Sequence, residues 1–154
     1  MILGISASEA NGTAERDEAT KLAIELHATH GRKPKTLGAD KGYDDGDFLH
    51  ALELLGIEPH IPLKREPADP KTVMDKTRLP GIKARRRMKR RLKKEAYRLS
   101  QMCRKKVEEC FGWLKVVAGL CRSKVVGRWK LRQAFQIGAA AFNLVKMVRL
   151  APAT

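Results

Sequence analysis

KTLGADKGYDDGDFLHALELLGIEPHIP, residues 35–62, is the stretch whose reading decides the fold. Lys35 to Ala39 reads as a brief strand, with Asp40-Lys41-Gly42-Tyr43-Asp44 following at its end. Gly46 to Leu55 has the pattern of a helix of about ten residues, and Ile57 to Ile61 reads as a second strand closed by Pro62. Strands alternating with helices indicate an α/β layout, a sheet with crossover helices. Residues at strand ends in such a layout face the crevice where chemistry is usually done, which singles out Asp40.

Toward the N-terminus, Met1 to Ala7 forms an apolar run with Ile2, Leu3 and Ile5, read as a strand that begins abruptly at the terminus. Asn11, Gly12 and Thr13 supply a turn and a cap. Ala14 to His30 then carries Ala19, Leu22, Ala23 and Leu26 at helical spacing before Gly31 stops the helix. His27 and His30 have chelate spacing, but a polar helix end favoured by the dipole is the simpler reading. No internal repeat is visible.

Toward the C-terminus, residues 62–82 form a loop or insertion with Pro67, Pro70 and Pro80. Residues 83–98 hold ten Lys or Arg in sixteen, while Met88, Leu92 and Leu99 keep a sparse apolar seam, so a basic helix is expected. Its charge reads either as a solvated face or as nucleic-acid contact, since so many like charges on one rod repel unless a polyanion neutralises them. Leu99 to Lys115 places Leu99, Cys103, Val107, Cys110 and Leu114 on one apolar stripe expected to pack on a core. Glu108 falls beside that stripe, with Arg104 four residues before it and Lys115 seven after. A carboxylate so placed reads equally as a buried salt bridge, a surface ion pair or a metal ligand. Gly119 and Ser123 to Gly127 break the pattern. Leu131 to Leu150, with Phe135, Ile137, Ala141, Phe142, Leu144 and Val145, is a nearly all-round apolar helix expected to be buried against the sheet.

The 154 residues are of one-domain size, and residues 1–150 are taken as one domain. Net charge is +15, unevenly placed: residues 1–60 carry 6 Lys or Arg against 11 Asp or Glu, the remainder 26 against 6. An acidic half thus precedes a basic one, and the excess points to a polyanionic partner, nucleic acid before membrane. Cys103, Cys110 and Cys121 are an odd number with no CxxC pair, which disfavours a disulfide scaffold or zinc knuckle. No signal peptide or apolar run of membrane-spanning length is present, so a cytoplasmic location is expected.

Asp40 and Glu108 stand out by position. Carboxylates brought together from distant sequence suit Mg²⁺, a hard cation that takes oxygen ligands. Two such ions about 3.5–4 Å apart assist in-line attack on phosphate. Spacing alone does not separate this from two ordinary surface acids.

The motif ADKGYDDGDF and the later RKKVEECFGWLK, with its pattern R-x3-E-x6-K, resemble the DDE-type transposases of bacterial insertion sequences, whose catalytic domain has a ribonuclease H-like fold. The likeness extends to SEANGTAERDEA and the apolar final helix. It implies that Asp40 and Glu108 are the second and third catalytic carboxylates and ligands of Mg²⁺ or Mn²⁺, with Arg104 and Lys115 helping to place transposon-end DNA. Lys41 and the basic run, Arg85, Arg86, Arg87, Lys89, Arg90 and Arg91 in particular, would hold backbone phosphates. Trp113 reads as core-facing, with stacking on a base as its alternative. These families usually have Tyr three residues before the motif Arg; here that place is Gln101, and Tyr97 is a turn earlier. Their first catalytic Asp lies on the first strand, whereas this chain begins with what would be the third.

The resemblance therefore implies an incomplete ribonuclease H-like core, the C-terminal portion of a transposase whose whole form cleaves and transfers strands at insertion-sequence ends. Double-stranded DNA is the expected partner, with a homodimer or a full-length transposase as further candidates. The alternative is a non-catalytic basic remnant that binds DNA or a full-length transposase.

Overall fold

The computed structural model describes residues 2–7, 13–31, 33–122 and 124–150. Two compact units divide it: Ala19–Lys105, here the βαβ unit, and a helical unit of residues up to Glu18 with those from Lys106 onward.

The βαβ unit is built on β1 (Thr36–Gly38), α2 (Gly46–Leu54) and β2 (Glu58–His60), preceded by α1 (Ala14–His30), which begins in the other unit. The strands pair in parallel with Leu37 opposite Pro59, the geometry that the crossover through α2 requires. Glu58 N donates to Lys35 O at 2.9 Å, so the next residue, Pro59, turns its missing donor away from β1. Asp45 caps α2, its carboxylate accepting from Asp47 N and Phe48 N. Gly56, at φ +68°, turns the chain out of the helix and into β2. Phe48, Leu49 and Leu52 of α2 form the core with Ala23, Ile57, Ile61, Ala84 and Met88.

Ala84 and Met88 come from α3 (Leu79–Arg91), which starts four residues earlier than the sequence suggests because Pro80 fits a helix's first turn. The basic segment is not one helix to Arg98. α3 ends at Arg91, and after a short turn α4 (Glu95–Val116) begins. Where α3 meets α2, Gly81 lies against Gly46 so closely that a Cβ at Gly81 would stand 2.8 Å from the Gly46 carbonyl carbon.

Of the apolar stripe expected on α4, only its C-terminal end, Cys110 and Leu114, is covered. Leu99, Cys103 and Val107 are exposed, and in the βαβ unit Tyr97, Ser100, Gln101 and Arg104 are half-buried instead. Polar contacts with the strand ends select that face, as described below.

In the helical unit α4 ends over Gly119, at φ +67°, and α5 (Arg128–Leu150) follows. Leu114 packs at Gly138, where a Cβ would meet Leu114 Cδ2 at 3.0 Å. Trp113 faces this core, edge-on to Phe142 with ring centroids 5.5 Å apart. Two expectations fail here. Residues 2–7 form no strand: Ile2 N donates to Asn143 Oδ1 and Asn143 Nδ2 donates to Ile2 O, both at 2.7 Å, so a side-chain amide takes the place of a neighbouring strand. Nor is α5 buried all round, since only Gly138, Ala139 and Phe142 are buried while Ile137, Leu144 and Val148 are 63–76% exposed. Close packing occurs at Gly138, which meets Leu114, Leu120 and Ala118. The turn at Asn11 and Gly12 and the break at Ser123 lie outside the described residues.

Candidate functional site

Asp40 stands two residues past the end of β1 and caps a single 3₁₀ turn, Lys41–Tyr43. Its Oδ1 accepts from Gly42 N at 2.7 Å, leaving Oδ2 outside that bond, and the residue is exposed. A Cβ on Gly42 would lie 2.8 Å from this Oδ1, so glycine is what lets the carboxylate close on its own turn. Lys41 is exposed beside it.

The rest of the motif turns inward. Tyr43 packs on Phe48 at 5.7 Å. Asp44, its side chain 1% exposed, accepts two 2.8 Å bonds from Arg85 Nε and Nη2 and a third from Lys64 N at 2.7 Å. Three neighbouring carboxylates thus play different parts. Asp40 is presented, Asp44 anchors the turn to α3 and to the following loop, and Asp45 starts α2.

The first half of α4 crosses the same ends of the strands. A Cβ on Gly38 would stand 2.8 Å from Ser100 Oγ, and Gln101 Nε2 donates to His60 O at 2.7 Å. Tyr97 lies edge-on to the buried His60 ring at 6.0 Å. Burial raises the Tyr97 pKa, opposed by the smaller pull of the Arg104 charge. Gln101, in the place where the resemblance expects Tyr, therefore ties α4 to β2. Glu108 follows half-buried Arg104 by one turn and is exposed, as is Lys115. Asp40 belongs to the βαβ unit and Glu108 to the helical unit.

Carboxylate oxygens of this kind suit a hard divalent cation in donor chemistry. Among the described residues no three His, Cys, Asp or Glu side chains converge as a ready ligand set.

The cations of α3 fall into two classes by the burial of their partners. Arg85 is held by the buried Asp44. Arg87 and Arg91 share Glu53, 13% exposed, and Arg91 also reaches Glu58 at 3.2 Å. Burial pushes the Glu53 pKa up, but hydrogen bonds and charge from Arg87 and Arg91 outweigh it and hold the carboxyl below its ordinary value of 4.5. The same pairing raises the Arg87 pKa. Breaking such pairs strands a desolvated charge. Arg86 with Asp69 at 3.2 Å and Lys89 with Glu66 form the second class, with both partners half or more exposed. Pairs of that kind contribute about 0–1 kcal/mol. Arg90 is exposed, and it lines an open groove of about 640 Å³ with Lys83, Arg86, Lys89, Lys93 and the loop residues Glu66 and Asp69.

Sequence reasoning missed Asp44, Glu53, Glu66 and Asp69 as partners of the basic run. For Glu66 and Asp69 the signal available was the mixed charge of residues 62–82, which has no helical period to reveal which acid meets which base; for Asp44 and Glu53 nothing local pointed to an Arg more than thirty residues away.

A family model described as the Transposase DDE domain matches residues 1–144. The chain belongs to the transposase DDE domain family. The expected kinship thus holds, and DNA transposition is the process to which the chain belongs, with DNA as the family's substrate and divalent metal as its usual cofactor. Neither a curated protein nor a solved structure matches it. No helix among the described residues is long and apolar enough to cross a membrane.

Proposed function

We propose that this transposase DDE domain contributes Asp40 and Glu108 to a metal-dependent centre that cleaves and transfers DNA strands at insertion-sequence ends, and that the exposed cations of α3 hold backbone phosphates. The observation that carries the reading is Asp40 itself: an exposed carboxylate at the C-terminal end of a strand in a parallel β-α-β crossover, on a turn fixed by Asp44 and Arg85. That crossover is the portion of a ribonuclease H-like core the chain supplies in this reading.

A bound Mg²⁺ or Mn²⁺ would supply Lewis acidity to a phosphate oxygen. The chain's own part is positional. Gly42 N fixes the rotamer of Asp40, and the Asp44 anchor keeps the turn from drifting, which matters because a misplacement of about 1 Å costs on the order of a hundredfold in rate. Lys41 and Arg104 bring positive charge toward the strand ends and Lys115 extends it along α4. Arg85, Arg87 and Arg91 serve the fold through their buried carboxylates, and Lys83, Arg86, Lys89, Arg90 and Lys93 serve DNA.

A second, binding-only reading is favoured by the groove, which lies wholly within one compact unit and works without metal. Mn²⁺ titration followed by electron paramagnetic resonance separates the two, run beside a strand-cleavage assay on duplex ends. Asp40→Asn and Glu108→Gln should each weaken Mn²⁺ binding and lower any cleavage by about tenfold or more, in the range that single electrostatic groups contribute. Unaltered Mn²⁺ binding in both variants would remove the metal assignment and leave the binding-only reading.

A further inference from the structure

Among the described residues, Glu66 and Asp69 are the acids lining a groove otherwise walled by Lys83, Arg86, Arg87, Lys89, Arg90 and Lys93. Glu66 is not what holds the loop in place, and Asp69 shares its Oδ1 between Arg86 Nη1 and Lys71 N. The base of the loop is fixed elsewhere, by Lys64 N on Asp44 and by Arg65 O, which accepts from Arg85 Nη2 at 3.0 Å. Beyond that base Pro67 and Pro70 restrict the backbone, and Lys71 N and Thr72 N bond back to Asp69 at 3.1 Å each. A stiffened loop thus carries two carboxylates, 71% and 54% exposed, over two cations that are themselves half exposed.

We infer that Glu66 and Asp69 occupy, in the DNA-free chain, two positions on the outer face of α3 that backbone phosphates take in the complex, so that DNA must displace them. The inference rests on the proposed role of this face in binding DNA and adds its regulation. Arg90 and Lys93, exposed on the same wall, meet the polyanion first together with Lys83, and Arg86 and Lys89 follow as their carboxylates swing into solvent. The base of the loop stays anchored at Asp44 and Arg85 while the Glu66 side chain rotates away and the Asp69 carboxylate gives up Arg86 and, as it turns, its bond from Lys71 N. The exchange makes binding weaker and less salt-dependent than the number of cations suggests, because Arg86 and Lys89 have shed part of their counterions to internal acids before DNA arrives. It also sets a threshold that a dense phosphate array crosses more readily than scattered anions do.

The test compares three variants of the full chain with the parent on a mixed-sequence duplex, by fluorescence anisotropy across a salt series. Glu66→Gln with Asp69→Asn should tighten binding and steepen the log–log salt slope, because no displaced carboxylates are left to take up cations while the DNA phosphates release theirs. Glu25→Gln with Asp47→Asn, the same charge change at exposed positions away from the groove, should leave the slope as it was. Lys83→Ala with Arg90→Ala should make it shallower. If both acid pairs act alike, or if removing Glu66 and Asp69 leaves the slope unchanged while the Lys83 and Arg90 variant lowers it, the displacement is wrong and the groove still binds DNA. If the Lys83 and Arg90 variant binds as the parent does, the DNA-binding role of this face falls, and the displacement with it. All four positions of the acid variants are exposed, and far-UV circular dichroism verifies that each variant is folded.

Discussion

Glu53 shows how one residue sets the character of a helix. Its carboxylate draws Arg87 and Arg91, one turn apart on α3, onto α2, and so turns part of a like-charged rod into an internal clamp. Because its folded-state pKa lies below the ordinary value, its contribution is complete above about pH 4.5 and disappears as pH falls through the depressed value. Glu53→Gln should therefore lower stability by about 1–3 kcal/mol at neutral pH, less than for a fully buried pair because the Arg87 side chain is partly in water. Urea unfolding at pH 7 and at pH 3 checks this: the gap between the variants should narrow in acid, and a gap independent of pH would mean that packing, not charge, is what Glu53 provides. At this scale the sequence revealed local placement more than contacts. Asp40 was legible because strand ends and a glycine turn are local. The fates of Asp44 and Glu53 were not, because each meets an Arg more than thirty residues away and nothing local selects which.

Between elements, the crossing of α2 and α3 depends on the absence of two side chains. Gly46 begins α2 directly after its Asp45 cap, and Gly81 lies in the first turn of α3, so the helices touch backbone to backbone. Gly81→Ala should destabilise by about 1–3 kcal/mol, the range for overpacking, even though alanine is the better helix former. Gly46→Ala relieves nothing and acts on the same contact, so the double variant should lose less than the sum of the singles. Thermal melts of the three proteins test this, and a stabilised Gly81→Ala would show that the helices can part at no expense. The elements themselves were largely readable: β1, α2 and β2 follow turn chemistry and short-range period, and they appear within a residue or two of expectation. The faces of α4 and α5 were not. Apolar spacing marks Leu99, Cys103 and Val107, but Gln101 bonding His60 O and Tyr97 meeting the His60 ring turn another side of α4 inward. On α5 the abundance of apolar residues concealed how few of them have a neighbour.

For the whole chain, the acidic first half and the basic second half turn out to be interlocked. Asp44, Glu53 and Glu58 from the former neutralise Arg85, Arg87 and Arg91 from the latter, all inside the βαβ unit. The net excess remains on outward faces, where a polyanion can reach it. Apolar burial is less evenly shared. Six large side chains, Phe48, Leu49, Leu52, Ile57, Ile61 and Met88, are buried in the βαβ unit, against Leu114 and Phe142 in the helical unit. At about 1.5–3 kcal/mol for each, burial contributes roughly 9–18 kcal/mol to the first and 3–6 to the second. The helical unit should therefore open at lower denaturant. Both tryptophans, Trp113 and Trp129, belong to it, so fluorescence reports on that unit alone, while far-UV circular dichroism sums helices from both. In urea the fluorescence transition should come first, with the dichroism curve broader and its midpoint higher, a departure from two-state behaviour. Hydrogen exchange should agree, with α5 amides exchanging faster than those of α2 and β2. Coincident fluorescence and dichroism curves would mean that the two units fold as one and that the narrow contact at Gly138 carries more than its burial suggests.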